Sequence, residues 1–211
     1  MYRRCGFRHE KKLRVTGVIR IAGVDEAGRG ALAGPVVAAA VVLPEKFRHR
    51  KLNDSKQLAP ERREEIYGEL TSNSDVAWAV GVVDHLEIDR INILRASQEA
   101  MRIALRGLAL PPDHVLIDGL PVFPFPFPQT AIIDGDCYSL SIAAASVIAK
   151  VTRDRMMRDF CAQFPEYCFD QHKGYSTELH LTRLHEFGPC PIHRRSFEPV
   201  AQPLLALEGI A

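Results

Sequence analysis

The chain has 211 residues, 46% of them hydrophobic and 25% charged, which is typical of one globular domain. Its formal net charge of +1 excludes a strongly basic or acidic surface, so a nucleic-acid footprint would have to be local. The five cysteines form no CxxC pair, which argues against a disulfide framework and a zinc site and favours a reducing cytoplasm. No run of about 18 apolar residues occurs, which argues against a membrane-spanning helix.

The first 14 residues carry six basic residues and one acid, Glu10, without the apolar core of a secretory signal. We expect residues 1–18 to be a disordered basic tail. An organelle transit peptide and a minor attraction to phosphate backbones are the alternatives. Residues 19–200 should then form one folded domain, followed by a C-terminal tail at 201–211.

Strand and helix patterns alternate along the first half of the chain. Apolar runs predict central strands, Pro60 suits the first position of a helix, and a stripe at helical spacing from Ile91 to Leu108 predicts core packing. In order, we predict a strand at 15–26, a strand at 36–43, a loop at 46–58, a helix at 60–70, a strand at 76–83 and a helix at about 90–108.

The second half begins after Pro111 and Pro112, which break the chain. We predict a strand at 114–117, an extended surface loop at 121–128, a strand at 130–133, a long helix at about 139–160, a loop at 172–175 and a helix at 177–187. Prolines prevent the 121–128 loop from pairing as a central strand, and its phenylalanines suit loop packing better than a base-stacking platform. The first half of the long helix is small or apolar all round, so it should be buried close to the sheet.

Three predicted strands end in carboxylates: Asp25 with Glu26, Asp118, and Asp136. The first pair shares one site only if its strand ends there and a turn brings Glu26 back, and a polar hairpin turn explains that segment equally well. Strand ends of an α/β sheet are where ligand sites gather. Converging carboxylates need cations, and hard oxygen ligands favour Mg²⁺ or Mn²⁺, which as a pair drive displacement at phosphorus. Chance surface acids and a calcium site are the alternatives, although no EF-hand spacing is present.

Basic and small residues lie near these strand ends. Gly28, Arg29 and Gly30 could offer backbone N–H groups and a guanidinium to a phosphate, and Lys56 could contact another. Tyr175 could stack on a sugar or base. Solvated charges and an ordinary buried or surface tyrosine are the simpler alternatives for each residue taken alone.

Several blocks in this order resemble ribonuclease HII, the type 2 ribonuclease H family. They are Gly23–Gly30, Leu32–Val36, Asp54–Lys56, Ile117–Gly119, Gly135–Asp136, Ala143–Ser146, Ala149–Asp154, Lys173–Tyr175 and His193–Phe197. The resemblance implies a ribonuclease H-like α/β fold, with a mixed five-stranded sheet flanked by helices and a small helical C-terminal portion. It makes residues 19–200 the catalytic domain.

The resemblance also implies an activity. It implies endonucleolytic cleavage of the RNA strand of RNA–DNA hybrids, and incision 5′ to a single ribonucleotide in duplex DNA, leaving 3′-hydroxyl and 5′-phosphate ends. The family's four catalytic, metal-binding acids correspond to Asp25, Glu26, Asp118 and Asp136, which would hold two Mn²⁺ or Mg²⁺ ions.

Five further positions match substrate-binding residues of the family. The segment that reads the ribose 2′-hydroxyl and holds phosphate corresponds to Gly28, Arg29 and Gly30. Lys56 would contact phosphate, and Tyr175 would pack on the deoxyribose beside the ribonucleotide.

Two positions depart from the family pattern. Ala31 stands where the family usually has proline, which loosens the turn. Asp134 stands where it usually has lysine. If the strand continues to Asp136, Asp134 points to the same face and adds negative charge near the metal site.

Two other functions compete with this one. Ribonuclease HIII carries an extra N-terminal substrate-binding domain. About 18 residues precede the first predicted strand here, which are too few to form such a domain. A catalytically silent hybrid-binding protein would not need all four acids. A clamp-binding peptide at Gln202–Leu205 is conceivable, with an ordinary tail as the favoured alternative, and the family resemblance suggests a monomer.

Overall fold

The structure, a computed structural model, describes residues 5–49 and 51–201. Within these ranges the strands are β1 Ile21–Ala27, β2 Val36–Val42, β3 Ala77–Val83, β4 His114–Asp118 and β5 Gln129–Ile132. They form one mixed sheet in the order β3-β2-β1-β4-β5. The first three strands pair antiparallel, whereas β4 is parallel to β1 and β5 is parallel to β4. The expected mixed five-stranded sheet is therefore confirmed.

Helices cover both faces of this sheet. They are α1 Arg8–Val15, α2 Pro60–Ser72, α3 His85–Ile91, α4 Ile93–Arg106, α5 Leu140–Gln163, α6 Phe169–His172 and α7 Glu178–Phe187. One core packs α4 against the sheet, and a second core packs α5 and α2 against the opposite face. In the part of the chain that the structure describes, none of these helices has the length and apolarity required to cross a membrane.

The long helix α5 lies almost in backbone contact with the central strand β1. A Cβ atom added at Gly23 would sit 2.1 Å from the carbonyl carbon of Ser141. Ala143, Ala144 and Ala145 are fully buried against the same face. The small residues on both elements permit this approach, as the sequence predicted, and they fix the acid-bearing end of β1 relative to α5.

In its described part, residues 5–18, the N-terminal segment is not the disordered tail that its charge suggested. Residues 8–15 form helix α1, and Leu13 packs against a small cluster that contains Ile21 and Leu116. Glu10 is 1% exposed and accepts hydrogen bonds from Ser139 Oγ at 2.6 Å and Ser141 N at 3.1 Å. The prediction failed because the partners of Glu10 lie about 130 residues away along the chain. The clamp-like stretch at 202–205 lies outside the described residues.

Other predicted boundaries also change. The helix predicted at 90–108 corresponds to α4, and the residues before it form a separate helix, α3, because Asn92 adopts φ +70° between the two. The predicted loop at 46–58 contains a 3-10 turn, Ser55–Gln57, whose N-cap is Asp54. The proline-rich loop is irregular as expected, and Phe125 and Phe127 pack against the core while Phe123 is exposed.

We expect Glu10→Ala to lower the free energy of unfolding by about 2 kcal/mol, because it leaves a buried hydroxyl and a buried backbone N–H without their acceptor. Urea denaturation measures this loss. Lys11→Ala, at an exposed position of the same helix, is the matched control and should change stability by less than about 0.5 kcal/mol. Equal effects of the two substitutions would show that α1 does not contribute to the cooperative fold.

Candidate active site

Three carboxylates meet at one end of the sheet. Asp25, Asp118 and Asp136 each place an oxygen within 4.8 Å of the other two. The parallel register pairs Val24 of β1 with Ile117 of β4, so the next residues, Asp25 within β1 and Asp118 at the end of β4, lie side by side on neighbouring strands. The register of the central strands therefore brings together acids that are 93 positions apart in the sequence.

The third acid reaches this site from a turn rather than from a strand end. Strand β5 ends at Ile132, and Asp136 lies in a 3-10 turn, Gly135–Cys137. The backbone N–H of Gly135 donates to Asp118 Oδ1 at 2.7 Å, which ties the turn to β4. Asp134 is exposed at φ +54° and is not one of the three clustered acids. Because β5 ends at Ile132, the condition under which Asp134 and Asp136 would share a strand face is not met, although the charge of Asp134 still acts to raise the pKa of Asp118.

Glu26 occupies a different position from the three clustered acids. Strand β1 continues through Ala27, so it does not end at the acid pair as expected. The Glu26 carboxylate accepts a hydrogen bond from Arg29 Nη1 at 3.2 Å. Glu26 nevertheless faces the same cavity as Asp25.

The cluster is short of positive charge. Burial raises the pKa of Asp25 well above its ordinary value, and the charges of Glu26, Asp118 and Asp136 raise it further. Burial, followed by the charge of Asp118, raises the pKa of Asp136 to about 6. Burial also raises the pKa values of Glu26 and Asp118.

The negative charges of these acids also affect the pKa of Lys56. Burial acts to lower its pKa, but the surrounding acids, led by Asp25 and Asp136, outweigh burial and raise it. One lysine does not neutralise the cluster, and oxygen ligands at this spacing suit a hard divalent cation. The residues present therefore fit a divalent metal ion.

A cavity of about 540 Å³ lies beside the acids. Its lining includes the residues singled out from the sequence, namely Asp25, Glu26, Gly28, Arg29, Gly30, Lys56 and Tyr175. Four further polar residues that sequence reasoning did not assign line it too, namely Ser55, Arg63, Ser146 and Lys150. Three of these, Ser55, Ser146 and Lys150, lie within the blocks noted in the sequence, so their positions in those blocks could have indicated them.

Two segments border this cavity and contact each other. We name residues 28–35 the recognition loop and residues 172–175 the tyrosine turn. The N–H of Leu32 donates to the carbonyl of Gly174 at 2.7 Å, and Ala31 forms a bridge with Tyr175. Ala31 also donates its N–H to the Gly28 carbonyl at 3.4 Å, a bond that proline could not make, which offsets the freedom gained without proline.

Gly28 allows the recognition loop to lie against the interior. Its φ is +97°, and a Cβ atom there would sit 2.1 Å from Arg153 Nε. Both the backbone conformation and the space require glycine. At Gly30, by contrast, an added Cβ would meet nothing within 4 Å, so this side of the loop is open to a ligand.

Buried histidines support the tyrosine turn. His180 Nδ1 donates to the Tyr175 carbonyl at 2.9 Å, so its Nε2 accepts from His193 Nε2, 3.0 Å away. His193 Nδ1 in turn accepts from the N–H of Cys190 at 3.0 Å. Each ring is thus held in one neutral tautomer, because protonating either would place two N–H groups face to face.

Acidification should break this histidine chain. Burial lowers the pKa of His180 to about 4 and that of His193 to about 3. Since the unfolded chain takes up these protons near pH 6.5, it binds more protons than the folded state below that pH, and stability falls as the pH decreases toward 4. We expect the wild-type protein to lose about 1–2 kcal/mol more than His180→Asn between pH 7 and pH 5, measured by urea denaturation.

The comparison with His180→Asn isolates the histidines. The raised pKa values of the acid cluster act in the opposite direction, since those groups gain stability as the pH falls, and both proteins share them. Parallel pH profiles for the two proteins would contradict the assignment of neutral, buried imidazoles.

Comparisons with known proteins agree with this arrangement. The family model for ribonuclease HII matches residues 22–200. Ribonuclease HII of Geobacter metallireducens is 53% identical over 186 residues, which cover 88% of this chain and 87% of that protein. Ribonuclease HII of Geobacillus kaustophilus is 50% identical over 203 residues, which cover 96% of this chain and 77% of that protein.

Solved structures show the same fold. Ribonuclease H2 from Pyrococcus horikoshii superposes with a TM-score of 0.71 at 30% identity, covering 87% of this chain and 96% of that one. Ribonuclease HII from Archaeoglobus fulgidus, solved in complex with PCNA, superposes with a TM-score of 0.72 at 28% identity, covering 85% of this chain and 96% of that one. A ribonuclease HIII structure superposes with a TM-score of only 0.58 at 20% identity, covering 72% of this chain and 58% of that one. The chain therefore belongs to the ribonuclease HII family, endonucleases that hydrolyse the RNA strand of RNA–DNA hybrids.

Proposed function

We propose that this enzyme, besides cutting RNA–DNA hybrids, incises duplex DNA on the 5′ side of a single embedded ribonucleotide and so serves ribonucleotide removal from DNA. The observation that carries the proposal is one cavity bordered by Asp25, by Gly28–Gly30 of the recognition loop and by Tyr175. Cutting and recognition groups thus surround the same space.

We assign metal binding to Asp25, Asp118 and Asp136, with Glu26 as the fourth acid. The converging oxygen atoms of the three aspartates and the raised pKa values of Asp25 and Asp136 support two divalent ions, Mg²⁺ or Mn²⁺. When bound, such ions lower the pKa of a water nucleophile and stabilise the departing 3′-oxyanion. Asp118 additionally holds the turn that carries Asp136 through the Gly135 N–H.

We assign recognition of the 2′-hydroxyl to the backbone of Gly28 and Gly30. That hydroxyl is what distinguishes RNA from DNA at one nucleotide step, and a side chain at Gly30 would occupy the open space beside the loop. Arg29, whose side chain is half exposed, and the exposed Lys56 would contact the phosphates next to the cut.

We assign junction sensing to Tyr175. Its ring is half-buried, with the Arg153 guanidinium 5.2 Å and Lys150 Nζ 5.5 Å from the ring centre. A ring held in this way offers a flat apolar face to a sugar that lacks a 2′-hydroxyl. The products would carry 3′-hydroxyl and 5′-phosphate ends.

The test uses three labelled duplexes: an RNA–DNA hybrid, a DNA duplex with one ribonucleotide, and an all-DNA control. Each is incubated with the protein and Mg²⁺ or Mn²⁺, and the products are separated on a denaturing gel. We expect one cut 5′ to the ribonucleotide and an intact control. Cleavage of the hybrid alone would restrict the enzyme to hybrids, as in the ribonuclease HIII alternative. Binding without any cut, with either ion, would indicate the silent hybrid-binding alternative.

A further inference from the structure

We propose that Arg153 and Arg194 are specificity-determining positioning residues, which hold the recognition loop and the tyrosine turn in the mutual arrangement that single-ribonucleotide incision requires. The inference rests on the proposed function of these two segments. Neither arginine faces the cavity as a lining residue, so both would act through the backbone that they hold.

Arg153, from helix α5, joins the two segments directly. Its Nε donates to the Pro35 carbonyl at 2.8 Å and its Nη2 to the Ala33 carbonyl at 3.0 Å, both in the recognition loop. Its Nη1 donates to the Lys173 carbonyl of the tyrosine turn at 2.9 Å. The same guanidinium packs on the Tyr175 ring. One rigid planar group therefore fixes three carbonyls and one aromatic ring.

Arg194 secures the other end of the recognition loop. Its Nε donates to the Gly34 carbonyl at 2.9 Å and its Nη1 to the Arg29 carbonyl at 3.0 Å. The second bond holds the peptide unit between Arg29 and Gly30, two residues that line the cavity. His193, the preceding residue, belongs to the histidine chain that supports the Tyr175 carbonyl.

Both guanidiniums are unusual in their surroundings. Each is fully buried. Within residues 5–49 and 51–201, neither lies within 4.0 Å of a carboxylate oxygen. Burial and the neighbouring Arg153 lower the pKa of Arg194 to about 9. Burying two cations costs desolvation free energy that apolar side chains at these positions would avoid. Since both cations hydrogen-bond only to loop carbonyls, we infer that they are retained because the loop geometry must be fixed.

The location of the Arg153 and Arg194 guanidiniums behind the recognition loop supports the same inference. The recognition loop contributes backbone groups to the cavity, and both positive charges lie on its interior side. Binding a polyanion offsets the repulsion between them, so the substrate should favour the arrangement that they hold.

The test compares Arg153→Lys and Arg194→Lys with the wild-type protein. A lysine ammonium keeps the charge but lacks the planar fork that reaches several carbonyls. We expect the kcat/KM for single-ribonucleotide duplexes to fall at least about 10-fold more than the kcat/KM for long hybrids, because several ribonucleotides in a hybrid offer alternative registers. Leu105→Ala, in the core on the α4 face of the sheet, is the matched control for general destabilisation.

Failure of this proposal can be distinguished from failure of the proposed function. An unchanged substrate ratio in folded arginine variants, or an equal change in Leu105→Ala, would overturn the proposal. If the wild-type protein itself fails to incise single ribonucleotides, the proposed function fails instead.

A measurement on the wild-type protein covers the case in which the lysine variants do not fold. Hydrogen exchange of the Leu32 amide and of the amides in the tyrosine turn should report one common opening free energy, since the guanidiniums join both segments. Segments that open independently would show that the arginines do not couple them.

Discussion

Replacing Asp118 with asparagine is expected to reduce RNA-strand cleavage at least about 1,000-fold while hybrid binding stays within about 3-fold. The amide is nearly isosteric, and its oxygen can still accept the Gly135 N–H that holds the Asp136 turn. It lacks the negative charge that a divalent cation requires. Single-turnover cleavage assays and filter-binding measurements report the two quantities separately.

The same substitution should stabilise the metal-free protein by about 1 kcal/mol, because it removes one of several crowded like charges. Asp134→Asn is the matched control, since it makes the same chemical change at an exposed residue outside the cluster, where asparagine tolerates the positive φ. Its cleavage rate should remain within about 3-fold of wild type. Unchanged turnover in Asp118→Asn would refute the role given to Asp118.

Replacing Tyr175 with alanine is expected to lower incision at single ribonucleotides about 30-fold and cleavage of long hybrids by less than about 5-fold. The ring packs on the Arg153 guanidinium, and the backbone of Tyr175 forms a bridge with Ala31 of the recognition loop. Packing of an aromatic ring on a nucleotide contributes about 1–3 kcal/mol. Only the single-ribonucleotide duplex has one productive register, so it alone depends fully on the junction contact. Paired steady-state assays on the two substrates measure the ratio.

Tyr175→Phe is the matched variant for this prediction. It keeps the ring and its packing on Arg153 and removes only the hydroxyl, so both substrates should be cut within about 3-fold of wild type. Equal losses on both substrates in Tyr175→Ala would count against junction sensing. They would show instead that the side chain is needed for binding any duplex.

Local patterns in the sequence predicted most of the elements correctly. The small, apolar first half of α5 predicted a buried helix close to the sheet, and the structure places it against Gly23. The strands were found because apolar runs and the residues that interrupt them are neighbours in the sequence. Boundaries failed where a single residue changes the backbone direction, as Asn92 does between α3 and α4.

The candidate site was only partly predictable. The sequence supplied Asp25, Asp118 and Asp136 as acids near strand ends, but Asp136 lies in a turn and Asp134 is not part of the cluster. The fourth acid, Glu26, lies within β1 and bonds Arg29. The order of the strands and the shape of one turn decide these positions, and neither is encoded in a local pattern.

The sequence by itself determined the family and the chemical types of the candidate site residues, because motifs are properties of neighbouring residues, and the mixed sheet followed from the family resemblance. Only the tertiary structure decided which acids meet, why α1 is folded, and what Arg153 and Arg194 hold. Glu10 reaches Ser139 across 129 positions, and Arg194 reaches the Arg29 carbonyl across 165. Such contacts arise from packing between distant segments, where burial gives a hydrogen bond its importance.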